Sequence, residues 1–138
     1  MKNFKRDAQG FIQKTWLQDD ITELFEQVSD DFMFESPITN ARGFEWFAKY
    51  IDSVKTGFSN MNLSFRNVYS DENSAVAYYT LSADHSGVFM GLKPTGKTVK
   101  FDVFTYIEFA DEEIRYVRSV FDLFELKNQL DIFNKKSG

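Results

Sequence analysis

At 138 residues the chain has the length of one domain and enough material to bury a sizeable core. Lys and Arg number 16 against 21 Asp and Glu, a formal net charge of −5 that repels nucleic-acid backbones and anionic membrane surfaces. Cysteine is absent, which excludes disulfides and thiolate chemistry and leaves carboxylates and one histidine as the metal-binding side chains.

Aromatic residues make up 17% of the chain, 16 of them Phe, so large flat rings must fill the core or line a cavity. No segment approaches the ~20 apolar residues of a membrane span. The opening MKNFKRDAQGF is charged and lacks a signal peptide's apolar centre, so a cytoplasmic protein is expected.

From Phe11 to Val28, Ile12, Trp16, Leu17, Ile21, Leu24, Phe25 and Val28 recur at helical spacing. Asp20-Ile-Thr-Glu23 has the form of a capping box inside that stripe, which predicts a long helix followed by a short one. Asp30 to Pro37 reads as a short aromatic strand stopped by proline. A second helix is expected after Thr39 or Asn40 as cap, with Phe44, Phe47, Ala48, Ile51, Val54 and Phe58 on one face and a stop at Gly57.

From Met61 the period switches to two. Met61, Leu63 and Phe65 lead through the turn Asp71 to Asn73 into Ala75–Leu81, and the loop Lys93-Pro94-Thr95-Gly96 suits a type I turn. On the next strand Phe101, Val103, Thr105, Ile107 and Phe109 alternate with Asp102, Phe104, Tyr106 and Glu108, so both faces should be covered. Asp111 to Glu113 makes the following turn, and Ile114, Tyr116, Arg118, Val120, Asp122 and Phe124 are expected to share a face of the last strand. Leu126, Leu130 and Phe133 then have the spacing of a closing helix. Helices first and a run of strands after predict an α+β fold, a curved antiparallel sheet covered by N-terminal helices, as a single domain with its core at about 5–133.

Three stretches carry a resemblance to a known family: His85-x-Gly87-x-Phe89-x-Gly91 before Pro94-Thr95-Gly96-Lys97; Asp122 followed by Leu126, Gln129 and Leu130; and Asp31 to Pro37. Together they resemble the NTF2-like superfamily and, within it, the SnoaL-like polyketide and ester cyclases. The resemblance implies a cone-shaped barrel around a hydrophobic pocket, with Asp122 as general acid/base in proton transfer on a carbonyl compound and His85 in the pocket. This chain has Asp131 where the family usually has glycine after Gln-Leu, Asp-Glu-Glu in its last hairpin where Asp-Gly is usual, and Val120 and Phe121 where a tryptophan is common. Two sister branches fit less well: Ser36 stands where ketosteroid isomerases carry a catalytic aspartate and Thr105 near their oxyanion-hole aspartate, and Lys100 and Asp102 only loosely imitate the Arg-x-Asp of epoxide hydrolases.

The chemistry suits those residues. A carboxylate flanked by Val120, Phe121, Leu123 and Phe124 is expected to lose hydration and become a stronger base, and a neutral His85 could donate to a substrate oxygen or orient it. The structural alternatives are Asp122 as a helix cap or a partner of Arg118 or Arg115, and His85 as a hydrogen-bonded strand-end residue. Trp16, Phe34, Trp46, Tyr50, Phe104 and Tyr106 are candidates for the pocket wall or a dimer face. No metal-ligand spacing, phosphate loop or nucleophile elbow is present, so no cofactor is expected. The expected function is proton transfer on a small apolar or aromatic carbonyl compound in a homodimer. The alternative is a non-catalytic ligand-binding or dimerisation module.

Overall fold

The first helix, α1 (Phe4–Leu17), begins where the Asn3 side chain accepts a hydrogen bond from the Arg6 amide at 3.0 Å. It turns Ala8, Phe11, Ile12 and Thr15 inward, as spacings of three and four residues require. The computed structural model describes residues 3–130, so the expected contribution of Phe133 to the closing helix lies outside the described residues. The second helical segment is a 3-10 helix over Thr22–Gln27. Its tighter winding, about 3 residues per turn, breaks the expected stripe and leaves Phe25 exposed; Leu17, at the end of α1, is exposed as well. The predicted capping box does not form. Asp20 instead accepts from the Thr22 amide at 3.0 Å and its hydroxyl at 2.8 Å, and Glu23 pairs with Lys14.

Strand β1 (Val28–Glu35) is followed by a short β2 (Asn40–Arg42), antiparallel to it. Thr39 and Asn40 therefore do not cap the next helix. Gly43 does, with φ of 93° and its amide donating to the Phe32 carbonyl at 2.8 Å, so α2 (Phe44–Gly57) starts directly off the sheet. The rest is β3 (Phe58–Ser70), β4 (Ser74–His85), β5 (Thr98–Ala110), β6 (Glu113–Val120) and α3 (Leu123–Gln129).

The strands form one curved, open sheet in the order β2-β1-β6-β5-β4-β3. It is mixed and not wholly antiparallel, because β1 pairs with β6 in parallel. The helices α1 and α2 pack on its concave face, which presents Ala75, Ala77, Tyr79, Leu81, Ala83 and His85 from β4 and Val99, Val103, Thr105, Ile107 and Phe109 from β5. A bulge at β5–β6 pairs Phe109 with Ile114 but Glu108 with Tyr116. Ile114 thus joins the core, while Tyr116, Arg118 and Val120 of the expected row share the convex face.

That convex face is not covered in the single chain. Phe104 is 47% and Val120 48% exposed, side by side in the register, and Phe104 stacks on Tyr78 with ring centroids 4.5 Å apart. Among the described residues no helix is long and apolar enough to cross a membrane.

The β5–β6 hairpin closes through two residues in the left-handed region, Asp111 (φ 50°) and Glu112 (φ 70°), between the paired Ala110 and Glu113. A glutamate pays a steric cost there that glycine avoids. Glu112→Gly is therefore expected to stabilise the fold by about 1 kcal/mol in chemical denaturation.

Candidate functional site

Between the sheet, the helices and the β4–β5 connection lies a partly enclosed cavity of about 50 Å³. Its wall is almost wholly apolar: Trp16 of α1, Phe34 of β1, Tyr50 and Val54 of α2, Phe58 and Met61 of β3, and strand residues such as Leu81, Val99 and Val103. Phe89, Phe101, Phe121 and Leu126 close the end nearest α3. Among the described residues no Asp, Glu, Lys, Arg or His lines it. Its polar fittings are Ser36, Ser82, Ser119 and the Tyr50 phenol.

Burial raises the Tyr50 pKa, against a smaller opposite pull from the Ser36 hydroxyl, so the phenol stays protonated. Ser36 itself holds the turn between β1 and β2, accepting from the amides of Ile38 and Thr39. Behind Ser119 a chain of buried hydroxyls runs inward: Ser119 Oγ lies 2.8 Å from Thr105 Oγ1, which lies 2.8 Å from the Tyr79 phenol. Burial pushes Tyr79 up to about 12, opposed by the Thr105 hydroxyl, the Trp16 indole and the Ser119 hydroxyl.

The two residues expected to share this cavity do not meet in it. Asp122 is exposed and stands on the convex side, in a shallow groove with Arg66, Thr80, Lys100, Asp102, Phe104, Glu125 and Gln129. Its Oδ1 accepts from the Glu125 amide at 3.0 Å, making it the N-cap of α3. The desolvation expected from its apolar neighbours is absent, since successive residues of an extended chain point to opposite sides. Neither arginine pairs with it, because Arg118 binds Glu35 and Arg115 binds Glu108.

His85 is fully buried on the concave side but lies behind the cavity wall, its ring 5.4 Å from that of Phe58. Nδ1 accepts from the Thr95 amide at 3.1 Å, with the Thr95 hydroxyl at 3.0 Å, so the proton of the neutral ring sits on Nε2. Nε2 is buried without a hydrogen-bond partner among the described residues.

The motif around His85 has a packing explanation. His85 also donates its amide to Lys97 and accepts from Gly96 through its carbonyl, fixing the return of the loop. At Gly87 an added Cβ would fall 2.1 Å from the Thr56 carbonyl oxygen, so only glycine allows the loop to lie on the end of α2. That approach delivers Phe89 to the cavity wall beside Phe58, 4.9 Å away. The expected turn at Lys93 to Gly96 is replaced by one at Met90 and Gly91, both at positive φ, flanked by the Phe89–Leu92 bridge.

Of the other candidates, Trp16, Phe34 and Tyr50 line the cavity. Trp46 is 61% exposed with Lys49 over its ring, and Phe104 and Tyr106 belong to the convex face. Lys100 and Asp102 also face outward, away from any position in the cavity. Strand alternation put Thr105 in one row with Val103 and Ile107 without saying which face is inner, and nothing local marked Ser119, Phe58 or Phe89 as neighbours of one hollow. Among the described residues no group of three or more His, Asp or Glu could hold a metal ion.

Burial lowers the His85 pKa from its ordinary 6.5, against smaller opposite pulls from the backbone of Gly87 and Leu92. The folded state therefore binds this proton less readily than the unfolded chain. The His85 contribution is complete above about pH 6.5 and is lost as pH falls below it. Thermal unfolding should show the midpoint falling between about pH 6.5 and 5, above the carboxylate range, while His85→Gln is less stable but flat across that window.

Known proteins share this architecture. A SnoaL-like protein of Jannaschia sp. CCS1 superposes with a TM-score of 0.82 at 18% identity, covering 94% of this chain and 95% of its own. A SnoaL-like polyketide cyclase of Agrobacterium tumefaciens gives 0.76 at 19% identity, covering 94% and 99%. An LEH-like epoxide hydrolase of M. tuberculosis gives 0.69 at 16% identity, covering 93% and 89%. No curated protein matches the sequence. The model of the SnoaL-like polyketide cyclases matches residues 6–130, nearly the whole described chain, and the protein belongs to that family.

Proposed function

We propose that the protein binds a small, uncharged, largely apolar ring compound in the partly enclosed cavity. The observation that carries this reading is the wall itself, which among the described residues combines six Phe or Trp rings with a few hydroxyls and no ionised side chain. Such a wall repays the desolvation of hydrocarbon and offers nothing to offset that of a carboxylate or ammonium. At about 50 Å³ the cavity is smaller than the 300–1,000 Å³ or so of ordinary ligand pockets. Accommodating a ring compound therefore requires aromatic side chains of the wall to rotate outward.

A second reading, proton transfer on a bound carbonyl by Asp122 with His85 assisting, has one observation in its favour. Phe101 and Phe121, 5.5 Å apart, line both the cavity and the outer groove that holds Asp122. Rotation of that pair would open the cavity toward the carboxylate. His85, behind Phe58 and Phe89, would act only through the loop it fixes. The exposed convex face around Phe104 and Val120 supports a homodimer through that face. Light scattering at micromolar concentration should give twice the 16.1 kDa chain mass, and Phe104→Glu the single mass.

The cavity is tested with indane and naphthalene against the charged 1-naphthoate. The uncharged rings should raise the unfolding midpoint, by about 2.7 kcal/mol of stability at roughly 100 times Kd, and naphthoate should not. Equal stabilisation by naphthoate would sink the assignment. Asp122→Asn, which keeps the cap and removes the base, should leave indane binding and stability unchanged, whereas Asp122→Ala should cost about 1 kcal/mol. A change of affinity in Asp122→Asn would bring the carboxylate into the cavity and favour the second reading.

A further inference from the structure

We propose that Ser119 is the recognition residue of the cavity, presenting a hydroxyl proton to a ligand oxygen, so that the ligand class is a neutral ring compound bearing a carbonyl. The inference rests on the cavity being the binding site and goes further by naming the polar group it reads. Ser119 lines the cavity and is joined through Thr105 to Tyr79, each link 2.8 Å long.

Three hydroxyls carry three protons, and two links use two of them. The direction of the chain decides which proton is left over. At its inner end the Tyr79 phenol is buried, with the Thr105 hydroxyl 2.8 Å away as its hydrogen-bond partner. A phenol proton left unpaired in the core is costly, so Tyr79 gives its proton to Thr105. Thr105 then donates to Ser119, and the unused proton is the one at the cavity surface. Hydroxyls aligned in one direction polarise one another, which makes the terminal Ser119 a better donor than an isolated serine. The phenol keeps its proton at neutral pH, so the direction of the chain is not disturbed by titration.

A donor of this kind needs an acceptor in the ligand. A hydrocarbon of the same shape leaves the Ser119 proton unpaired in an apolar hollow. A carboxylate accepts well but brings a charge that nothing on the wall balances. A ketone or aldehyde on a ring satisfies both conditions.

The test compares 1-indanone with indane, which share a skeleton and differ in the carbonyl, on wild type and Ser119→Ala by calorimetric titration. Wild type should bind indanone about five- to tenfold more tightly than indane, the effect of one neutral hydrogen bond. Ser119→Ala should bring that ratio near one while still binding indane. Equal affinities in wild type, or an undiminished ratio in Ser119→Ala, overturn the assignment while indane binding leaves the cavity reading standing. Failure of both compounds to bind wild type overturns the cavity reading and this one with it. The carbonyl stretch of bound indanone supplies a measurement that does not depend on the variant folding. It should lie at lower frequency than in hexane, and an unshifted band in wild type refutes the hydrogen bond.

Discussion

A mismatch of lengths governs this molecule. Strands β3 and β5 have 13 residues each, which at about 3.3 Å per residue extend some 43 Å. Helices α1 and α2 have 14 residues each and reach only about 21 Å. Two such helices, both entering near one end of the sheet, cannot cover its concave face from end to end. The remainder has to be closed by pieces that are not long helices: the β4–β5 connection and the short α3. The cavity lies where these three kinds of cover meet, with Tyr50 and Val54 from α2, Phe89 from the connection and Leu126 from α3.

Such a junction is hard to pack densely, and the chain fills it with large rings. Phe58, Phe89, Phe101 and Phe121 meet at tilted or edge-on angles with centroids 4.9 to 5.5 Å apart, in the two pairs Phe58–Phe89 and Phe101–Phe121. The remaining void of about 50 Å³ costs about 1 kcal/mol at roughly 24 cal/mol per Å³. That is small beside the 5–15 kcal/mol or so by which domains are stable, so the fold tolerates the cavity empty. The void differs from a packing fault in having a hydroxyl chain that ends on its wall. A core assembled only for stability would more cheaply have valine at the Thr105 position, since each buried hydroxyl must find partners.

Order and type of elements were legible because alternation along β4 and β5 and the helical stripe of α2 are strong periodic signals. The errors arose where the chain leaves a regular element. Asp122 sits among four apolar residues, which suggested burial. At the exit from β6, however, Phe121 turns into the cavity and its neighbour turns out. The bulge that pairs Phe109 with Ile114 displaces the face of the last strand, and no residue type there announces it. Gly43 was overlooked as a cap because Thr39 and Asn40 are better side-chain caps, whereas the turn needed a positive φ. His85 was expected in the pocket, with a hydrogen-bonded strand-end role as the alternative, and it is a buried strand-end residue held by Thr95. Its separation from the cavity depends on Phe58, which arrives from the end of α2 and could not be placed from local sequence.

The Asp122, Leu126, Gln129, Leu130 pattern can now be understood without chemistry. Strand β6 pairs with β5 only as far as Phe104, so the backbone of β5 from Thr98 to Val103 has no strand on that side. Gln129 takes the missing place, its Oε1 accepting from the Lys100 amide at 2.8 Å and its Nε2 donating to the Lys100 carbonyl at 2.7 Å. For that amide to reach the strand, α3 must start within a residue or two of the end of β6, which the Asp122 cap enforces. It must also lie flat against the core, which the buried Leu126 and Leu130, four residues apart, enforce. Cap, two leucines and glutamine are the minimum set that closes the end of the sheet and the cavity with it. A family held together by such a pattern shares a shape, and its members can place different chemistry inside it. In this chain the inner groups available for that purpose are hydroxyls.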